Sequence, residues 1–574
     1  MKKLVLLLGL TACATTPLPP SPPPSPSSSS SVSAAPIPDV TFRAGEPPRR
    51  AVVVSGVFAA PAVTSAALDA LSRRLALPMS LGQQLLDSLA SGGVVPGVVL
   101  PRAVVDALDP ARPVTFVYLT MGIGVEAGGC AALTFRDAES ARRALGALGQ
   151  EASRTGAESQ RLLVDGATRW AGVHGRTLLI SDKPRTIAIA GPLALELQER
   201  PSPATAALTV YPHVIVPLDA AGVGALLEAK IPAFFADHRK DASGFDPSIP
   251  AVTKALRLVA EPFVETRALT VALDVSADAG LSVRVVVEPV AESTFARGLA
   301  RRFPFPVDPG GPAGATGGFV AWGGYGDFAT TLEPVLAASG PRGREARAAN
   351  AAFMERLAGS LSCAIERGPP VVTRCAYPLA PGAKPADVLR RYAASARASA
   401  SALNEILGTH SPLPVMTTKG GVLEIEQRLD PQLAPAYAAV FGSPSQRGAA
   451  IVRGGKLMIA QGGEPRRWLD VTPTSKPEPA LAAALEREQG ANFVAYVDVA
   501  SLAQGALAGS TNPDVKQGLA MVRAIPGLQE LRFPLVVSAR SGATAQYELE
   551  VPIEALQNAA KIVVPYMGTM GRAR

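Results

Sequence analysis

The chain is poor in the residues on which most enzyme sites depend. Its 574 residues include four histidines and four cysteines, with aromatic content of 5% and charged content of 18%. No histidine lies near a cysteine pair, so no Cys/His set for zinc can be drawn and no metal is implied. The sequence has no His-Glu-x-x-His, no P-loop, no Gly-x-Ser-x-Gly elbow and no Ser-x-x-Lys, and it implies no cofactor. Lys and Arg exceed Asp and Glu by 55 − 48 = 7, spread along the chain in pairs such as Arg49-Arg50, Arg142-Arg143 and Arg390-Arg391. Without clustering or interleaved aromatics, that excess gives nucleic acid nothing to hold. Beyond the first residues no uncharged apolar run reaches the roughly 20 residues of a membrane-spanning helix. The smoothest stretch, 205–227, contains Pro212, His213, Pro217 and Asp219, and reads as a buried strand followed by a helix.

What is present starts with an address. Lys2 and Lys3 form a positive start, and Leu4 to Leu10 form an apolar run too short to span a bilayer. Then comes Leu10-Thr11-Ala12-Cys13, which resembles the lipobox of bacterial lipoproteins. The resemblance implies that 1–12 is a signal peptide, that the Cys13 sulfur receives a diacylglycerol, and that the new amino terminus is acylated. Two or three chains anchor stably, because each buried methylene contributes about 0.8 kcal/mol. Ala14 stands where an Asp would retain an enterobacterial lipoprotein in the inner membrane, so the resemblance points to the outer membrane. The implied partners are membrane lipid, through the Cys13 acyl chains, and proteins of the envelope. Residues 13–39 are rich in Pro and Ser, with prolines alternating from Pro17 to Pro26 and a serine run from Ser27 to Ser31. Such a segment cannot bury a core and reads as an extended spacer.

Apolar content of 48% and the chain length allow two to four domains. Self-similarity organises them. Residues 171–182 match 450–461 at an offset of 279, and at that offset Leu218-Asp219 falls on Val497-Asp498. Residues 273–289 parallel 536–552 at an offset of 263, 52–56 resemble 320–324, and Cys130-Ala131-Ala132 falls on Cys375-Ala376-Tyr377. Each half reads as a strand (51–56; 319–323), helices (62–76; 327–339), a hairpin (114–135; 361–377) and an amphipathic helix. A second hairpin turns at Gly175 or Gly454, and a long final hairpin (267–288; 531–551) leads to a closing helix. The expected fold is α+β, with two tandem units, 40–302 and 319–574. Each has an antiparallel sheet with helices on one side, and a Gly/Pro linker, 303–318, joins them.

Cys363 and Cys375 flank a Gly-Pro-Pro turn and face each other in a hairpin centred near Pro369, which predicts a disulfide in an oxidising compartment. Cys130 is then left as a buried free thiol. The richest aromatic-glycine segment, 322–328, offers Trp322, Tyr325 and Asp327 as candidate ligand-binding residues, against the alternative of a strand end and helix cap. Gly122-Ile-Gly-Val-Glu-Ala127 fits a dinucleotide fingerprint in letters, but a strand follows it where a helix is required. Asp219 and Asp498 each sit where a helix N-cap belongs, Asp237 to Asp241 reads as a solvated loop, and His213 and His410 are isolated.

These readings favour a membrane-anchored, non-enzymatic envelope lipoprotein with a binding or scaffolding role. The alternatives are a carrier of a lipid or other apolar ligand and a hydrolase with a dispersed site. The anchor is directly testable. Cys13→Ser is expected to shift the protein from the membrane fraction to the soluble one, or to leave uncleaved precursor. Continued palmitate labelling of that variant would show the acylated residue to be elsewhere.

Overall fold

A computed structural model describes residues 51–90, 102–120, 127–148, 153–154, 160–164, 167–200, 204–215, 265–301, 317–323, 340–366, 371–407, 412–429, 445–469, 479–502 and 531–570, plus a few isolated positions. The anchor, the Pro/Ser segment and 303–316 lie outside them.

The described residues begin with β1 (Val52–Phe58) and helices α1 (Pro61–Arg74), α2 (Leu81–Ala90) and α3 (Arg102–Asp106). The hairpin β2 (Val114–Leu119) and β3 (Gly128–Thr134) leads into α4 (Ala138–Leu148). Strands β4 (Ser153–Arg154), β5 (Gln160–Val164), β6 (Ala167–His174) and β7 (Thr177–Ser181) precede α5 (Pro184–Glu199). Then come β8 (Ala206–Val210), α6 (Pro212–Ile215), the hairpin β9 (Thr266–Ser276) and β10 (Gly280–Pro289), and α7 (Thr294–Arg301). Further on, β11 (Gly318–Trp322) and α8 (Gly340–Met354) lead to β12 (Leu361–Glu366), β13 (Val372–Pro378) and α9 (Pro385–Leu407). Strands β14 (Val415–Lys419), β15 (Val422–Arg428), β16 (Ser445–Arg453) and β17 (Lys456–Gln461) precede α10 (Pro465–Leu469) and α11 (Pro479–Arg487). The chain closes with β18 (Phe493–Asp498), β19 (Pro534–Ser541), β20 (Ala545–Pro552) and α12 (Ile553–Met570).

The fold is α+β, and all of these strands join one antiparallel sheet. Its order is β4-β5-β6-β7-β3-β2-β1-β8-β9-β10 and then, without a break, β20-β19-β18-β11-β12-β13-β17-β16-β15-β14. Read outward from the central β10–β20 pair, both halves run through the same succession of hairpins and returns. Both short hairpins turn where glycine tolerates positive φ, at Gly175 (φ 58°) and Gly454 (φ 57°), as the sequence predicts.

The two faces of the sheet differ. On one, α5 lays Ile187, Ala190, Leu193 and Ala194 on Val117, Leu119, Cys130 and Leu179. On that same face α11 places Leu481 and Ala484 on Phe319, Ala321, Tyr496 and Val536. The other face is covered towards one end, where α8 and α9 bring Phe353, Val388 and Leu389 onto Leu423, Ala450, Leu457 and Ile459. Helices thus lie on both faces, and the expectation of helices on one side only is corrected.

The β10–β20 seam holds the halves together from Gly280↔Pro552 to Val287↔Ala545. At its middle the Arg284 guanidinium donates to the largely buried Glu548 carboxylate at 3.1 Å, and this bond raises the arginine pKa. Two sequence matches put equated residues on opposite faces of the sheet, and a third, 52–56 with 320–324, is displaced by four residues and keeps the face. Cys130 pairs with Ser181 on the face covered by α5, whereas Cys375 pairs with Ile459 on the opposite one. Likewise Leu273 and Val536, equated at an offset of 263, point to opposite faces. A slip of one residue reverses every side chain of a strand, and Ala-rich strands give letter matching too little to fix it.

Gly280 is constrained twice: its φ is 103°, and a Cβ there would come within 2.2 Å of the Val551 carbonyl oxygen. Gly280→Ala is therefore expected to destabilise the chain by more than about 1 kcal/mol, read as a lower denaturant midpoint. Gly146, inside α4 with open space around it, is the control. Gly146→Ala should raise stability by about 0.5–1 kcal/mol.

Candidate functional site

The middle of the sheet is built by alternation. In β9 the odd positions Leu269, Val271, Leu273 and Val275 share one face, and the even ones from Ala268 to Asp274 share the other. Followed across registered partners, one row on the first of these faces reads Phe116, Gly56, Leu208, Val271, Val285, Tyr547, Ala539, Phe493, Trp322, Leu361. The next row reads Val114, Phe58, Ala206, Leu273, Val283, Leu549, Val537, Ala495, Val320, Cys363. Neither row contains a charged or amide side chain, the Tyr547 hydroxyl and the Trp322 indole N–H being their hydrogen-bonding groups, and each crosses ten strands, about 43 Å at 4.8 Å per strand. Leu208, Leu273, Tyr547 and Leu549 are 36, 40, 37 and 37% exposed, and Tyr118 on the same face is 42% exposed. Near the N-terminal end of the rows, Phe116 lies over Gly56, where a Cβ would come within 1.9 Å of its ring, and stacks on Phe58 with centroids 6.1 Å apart.

The opposite face carries the polar groups and is the more buried one at the seam. Glu548 accepts from Arg284, Arg487 reaches Glu550 at 3.1 Å, and Arg540 reaches the buried Glu488 at 3.0 Å. Antiparallel sheets commonly put their apolar face inward and their polar face to solvent. Here the centre of the sheet inverts that rule.

Of the residues singled out from the sequence, Trp322 lies on the apolar face, tilted against Phe493 with ring centroids 5.8 Å apart. Cys13, Tyr325, Asp327, Asp219, His410 and the 237–241 segment lie outside the described residues. Cys363 and Cys375 are register partners joined by a disulfide at the end of the second apolar row. Their Cα atoms are 4.0 Å apart, closer than the roughly 4.4–6.8 Å usual for disulfides. Behind them, on the other face, Arg374 donates to Glu366 and stacks over Trp468 at 5.8 Å. Cys130 is a free, buried thiol, and burial, aided by the charge of Asp182, pushes its pKa up to about 12.

Asp498 caps the helical turn that begins at Val499. It is buried, accepts from the Ser501 and Phe533 amides at 3.2 and 3.1 Å, and holds the Ser501 hydroxyl and the Arg532 guanidinium. With both oxygens engaged by four donors, it matches the capping role read from the sequence. Among the described residues no group of three His, Cys, Asp or Glu is placed to hold a metal ion, and no helix is long and apolar enough to cross a membrane. No known protein-family model, curated protein or solved structure matches the chain.

The five exposed leucine and tyrosine positions escaped sequence reading. Their signal was present, since Ala545-Gln-Tyr-Glu-Leu-Glu-Val551 alternates without a fault. Alternation separates two faces but does not say which of them is covered.

The disulfide closes a loop of 12 residues, worth roughly 3 kcal/mol by chain entropy. Replacing both cysteines by serine is expected to lower thermal stability in non-reducing buffer and to leave it nearly unchanged under reductant. Cys130 should resist alkylation at pH 8 until the chain is unfolded, which mass spectrometry of the labelled native protein would check.

Proposed function

We propose that this chain is a membrane-anchored envelope lipoprotein without catalytic function, an internally duplicated binding protein whose contact surface is the apolar face at the centre of the sheet. The single observation that carries the binding role is that inverted face. Contiguous exposed apolar patches mark interaction sites, and this one spans both sides of the β10–β20 seam. The anchor on Cys13 and the placement at the outer membrane rest on the lipobox.

The duplication has support in the pairing register. The match at offset 279 equates Ile180 with Ile459. Followed strand by strand, it passes through Ala131 and Cys375, Phe116 and Cys363, Gly56 and Val320, Leu208 and Ala495, Val271 and Val537, and reaches Val285 and Leu549. At the seam Val285 pairs with Tyr547 and Val283 with Leu549. Since 549 − 285 and 547 − 283 are both 264, a two-fold axis through the Arg284–Glu548 pair would exchange the two pairs. Two tandem units, 40–302 and 319–574, joined through 303–318, account for that coincidence.

A second reading, a carrier of a lipid or other apolar ligand, is favoured by the predominantly apolar make-up of the rows. Their backbone groups are engaged in the sheet, so the face offers mainly apolar contact, with the Tyr547 hydroxyl as an exposed hydrogen-bonding group. One experiment separates the readings: a photoreactive residue placed at Leu273 or Leu549 and irradiated in intact cells. A protein adduct supports scaffolding and a lipid adduct supports carriage. No adduct beyond that formed at the polar surface position Glu292 would sink both.

A further inference from the structure

At one edge of the sheet lies a second, differently built surface. We propose that strand β14, with the groove beside it, docks an extended acidic peptide segment of a partner protein. This site is independent of the central apolar face.

Three observations converge. Among the described residues β14 pairs only with β15, so its outer edge offers backbone donors and acceptors over five residues, and Val415 is 65% exposed. The opposite edge strand, β4, has two residues. Beside β14 runs a groove of about 630 Å³, floored by Leu389, Ala393, Met416 and Leu423 and flanked by Arg390 and Arg397 of α9. Among the described residues no acidic side chain lines it.

The charge around this groove is net positive. Asp387 is already shared by Arg356, Arg390 and Arg391, with Arg391 also reaching Glu355 at 3.9 Å, and the Arg390 bond foremost holds the Asp387 pKa below the usual range. Arg397 is exposed and has no ion-pair partner among the described residues. The acids of β15, Glu424 and Glu426, face the other side of the sheet, where they meet Arg466 and Arg447. An occupant that complements the groove is therefore apolar where it meets the floor and anionic at the rim.

An extended chain satisfies all three features, because strand addition uses the free edge while alternate side chains enter the groove. Arg390 and Arg397 are seven residues apart on α9, about 10.5 Å along its axis. Carboxylates at positions i and i+4 of a strand lie about 13 Å apart on one face, with one apolar side chain between them. The pattern is acid-x-apolar-x-acid. An acyl chain would fill the floor but leave the edge unused.

The test is fluorescence anisotropy with the full chain and a labelled peptide SETLTES. Binding should be saturable and weaken as salt is raised. It should fall at least fivefold for SQTLTQS and for the R390Q/R397Q variant, whose exposed substitutions leave the melting curve in place. Alternate N–H groups of an extended strand face its partner, so methylating the backbone nitrogens of both threonines in one peptide, or of the two glutamates and the leucine in a second, should abolish binding in one of the two. Equal binding of SQTLTQS, indifference to R390Q/R397Q, or full affinity of both methylated peptides would overturn the proposal. So would a dimer in sedimentation that forms through this edge and that the peptide cannot dissociate.

Discussion

The pairing of β10 with β20 is the constraint on which the architecture rests. Without it the strands would form two separate sheets of ten, each with an exposed long edge at the end of a hairpin. With it, eight successive registered pairs, from Gly280↔Pro552 to Val287↔Ala545, satisfy both edges at once. The register here is fixed by local devices. Gly280 has no Cβ where the Val551 carbonyl approaches, and Arg284 finds Glu548 opposite it. A slip of one residue would bring the apolar side chains of β10 to the polar face of β20, so alternation enforces the same register over the whole seam.

The seam also explains why the buried face can be the polar one. Glu548 and Glu488 are almost wholly buried, yet each has a guanidinium partner, and an ionised carboxylate in such a place is tolerated only when paired. Removing Arg284 would leave Glu548 buried and unpaired, whereas exchanging both for apolar residues would remove the penalty together with the attraction. These ion pairs are therefore better understood as fixing register than as a source of stability. The disulfide plays a comparable local part at the end of the second apolar row, tying β12 to β13 where α8 and α9 begin to cover the sheet.

Much of this was legible in the sequence, and what escaped did so for definable reasons. The helix and strand runs on either side of Gly175 and Gly454, the Cys363–Cys375 pair and the cap at Asp498 depend on local chemistry, and local chemistry is written in neighbouring residues. The joining of all strands into one sheet depends on β10 meeting β20, more than 250 residues apart, and no residue of either strand announces its partner. The register of the internal matches failed at Cys130 and Leu273 because alanine and valine recur too often to distinguish adjacent positions. Trp322 was noticed for its aromatic ring, but Leu208, Leu273, Tyr547 and Leu549 look like ordinary core residues. Only the coverage of the folded sheet reveals them as surface.

Magnitudes limit what the apolar face can do. Burying a large apolar side chain fully contributes about 1.5–3 kcal/mol, so a side chain that is a little over one-third exposed has roughly 0.5–1 kcal/mol left to give. Five such side chains, Tyr118 among them, offer about 2.5–5 kcal/mol, and a dissociation constant of 1 mM already requires about 4.1 kcal/mol. The exposed leucines and tyrosines alone therefore hold a partner from dilute solution no more tightly than about the millimolar range. Micromolar binding, at about 8.2 kcal/mol, would need the half-buried valines of both rows to be covered as well, and hence an occupant lying across several strands. The proposed tether changes this arithmetic. Confinement beside a membrane replaces dilute association by encounter at an effective concentration that reaches the millimolar range for short linkers, so contacts too weak in solution become occupied. On this argument the proposed acyl anchor and the apolar face would belong to one design: the face is weak enough to remain unaggregated when bare, and the anchor would bring it to partners it could not otherwise retain.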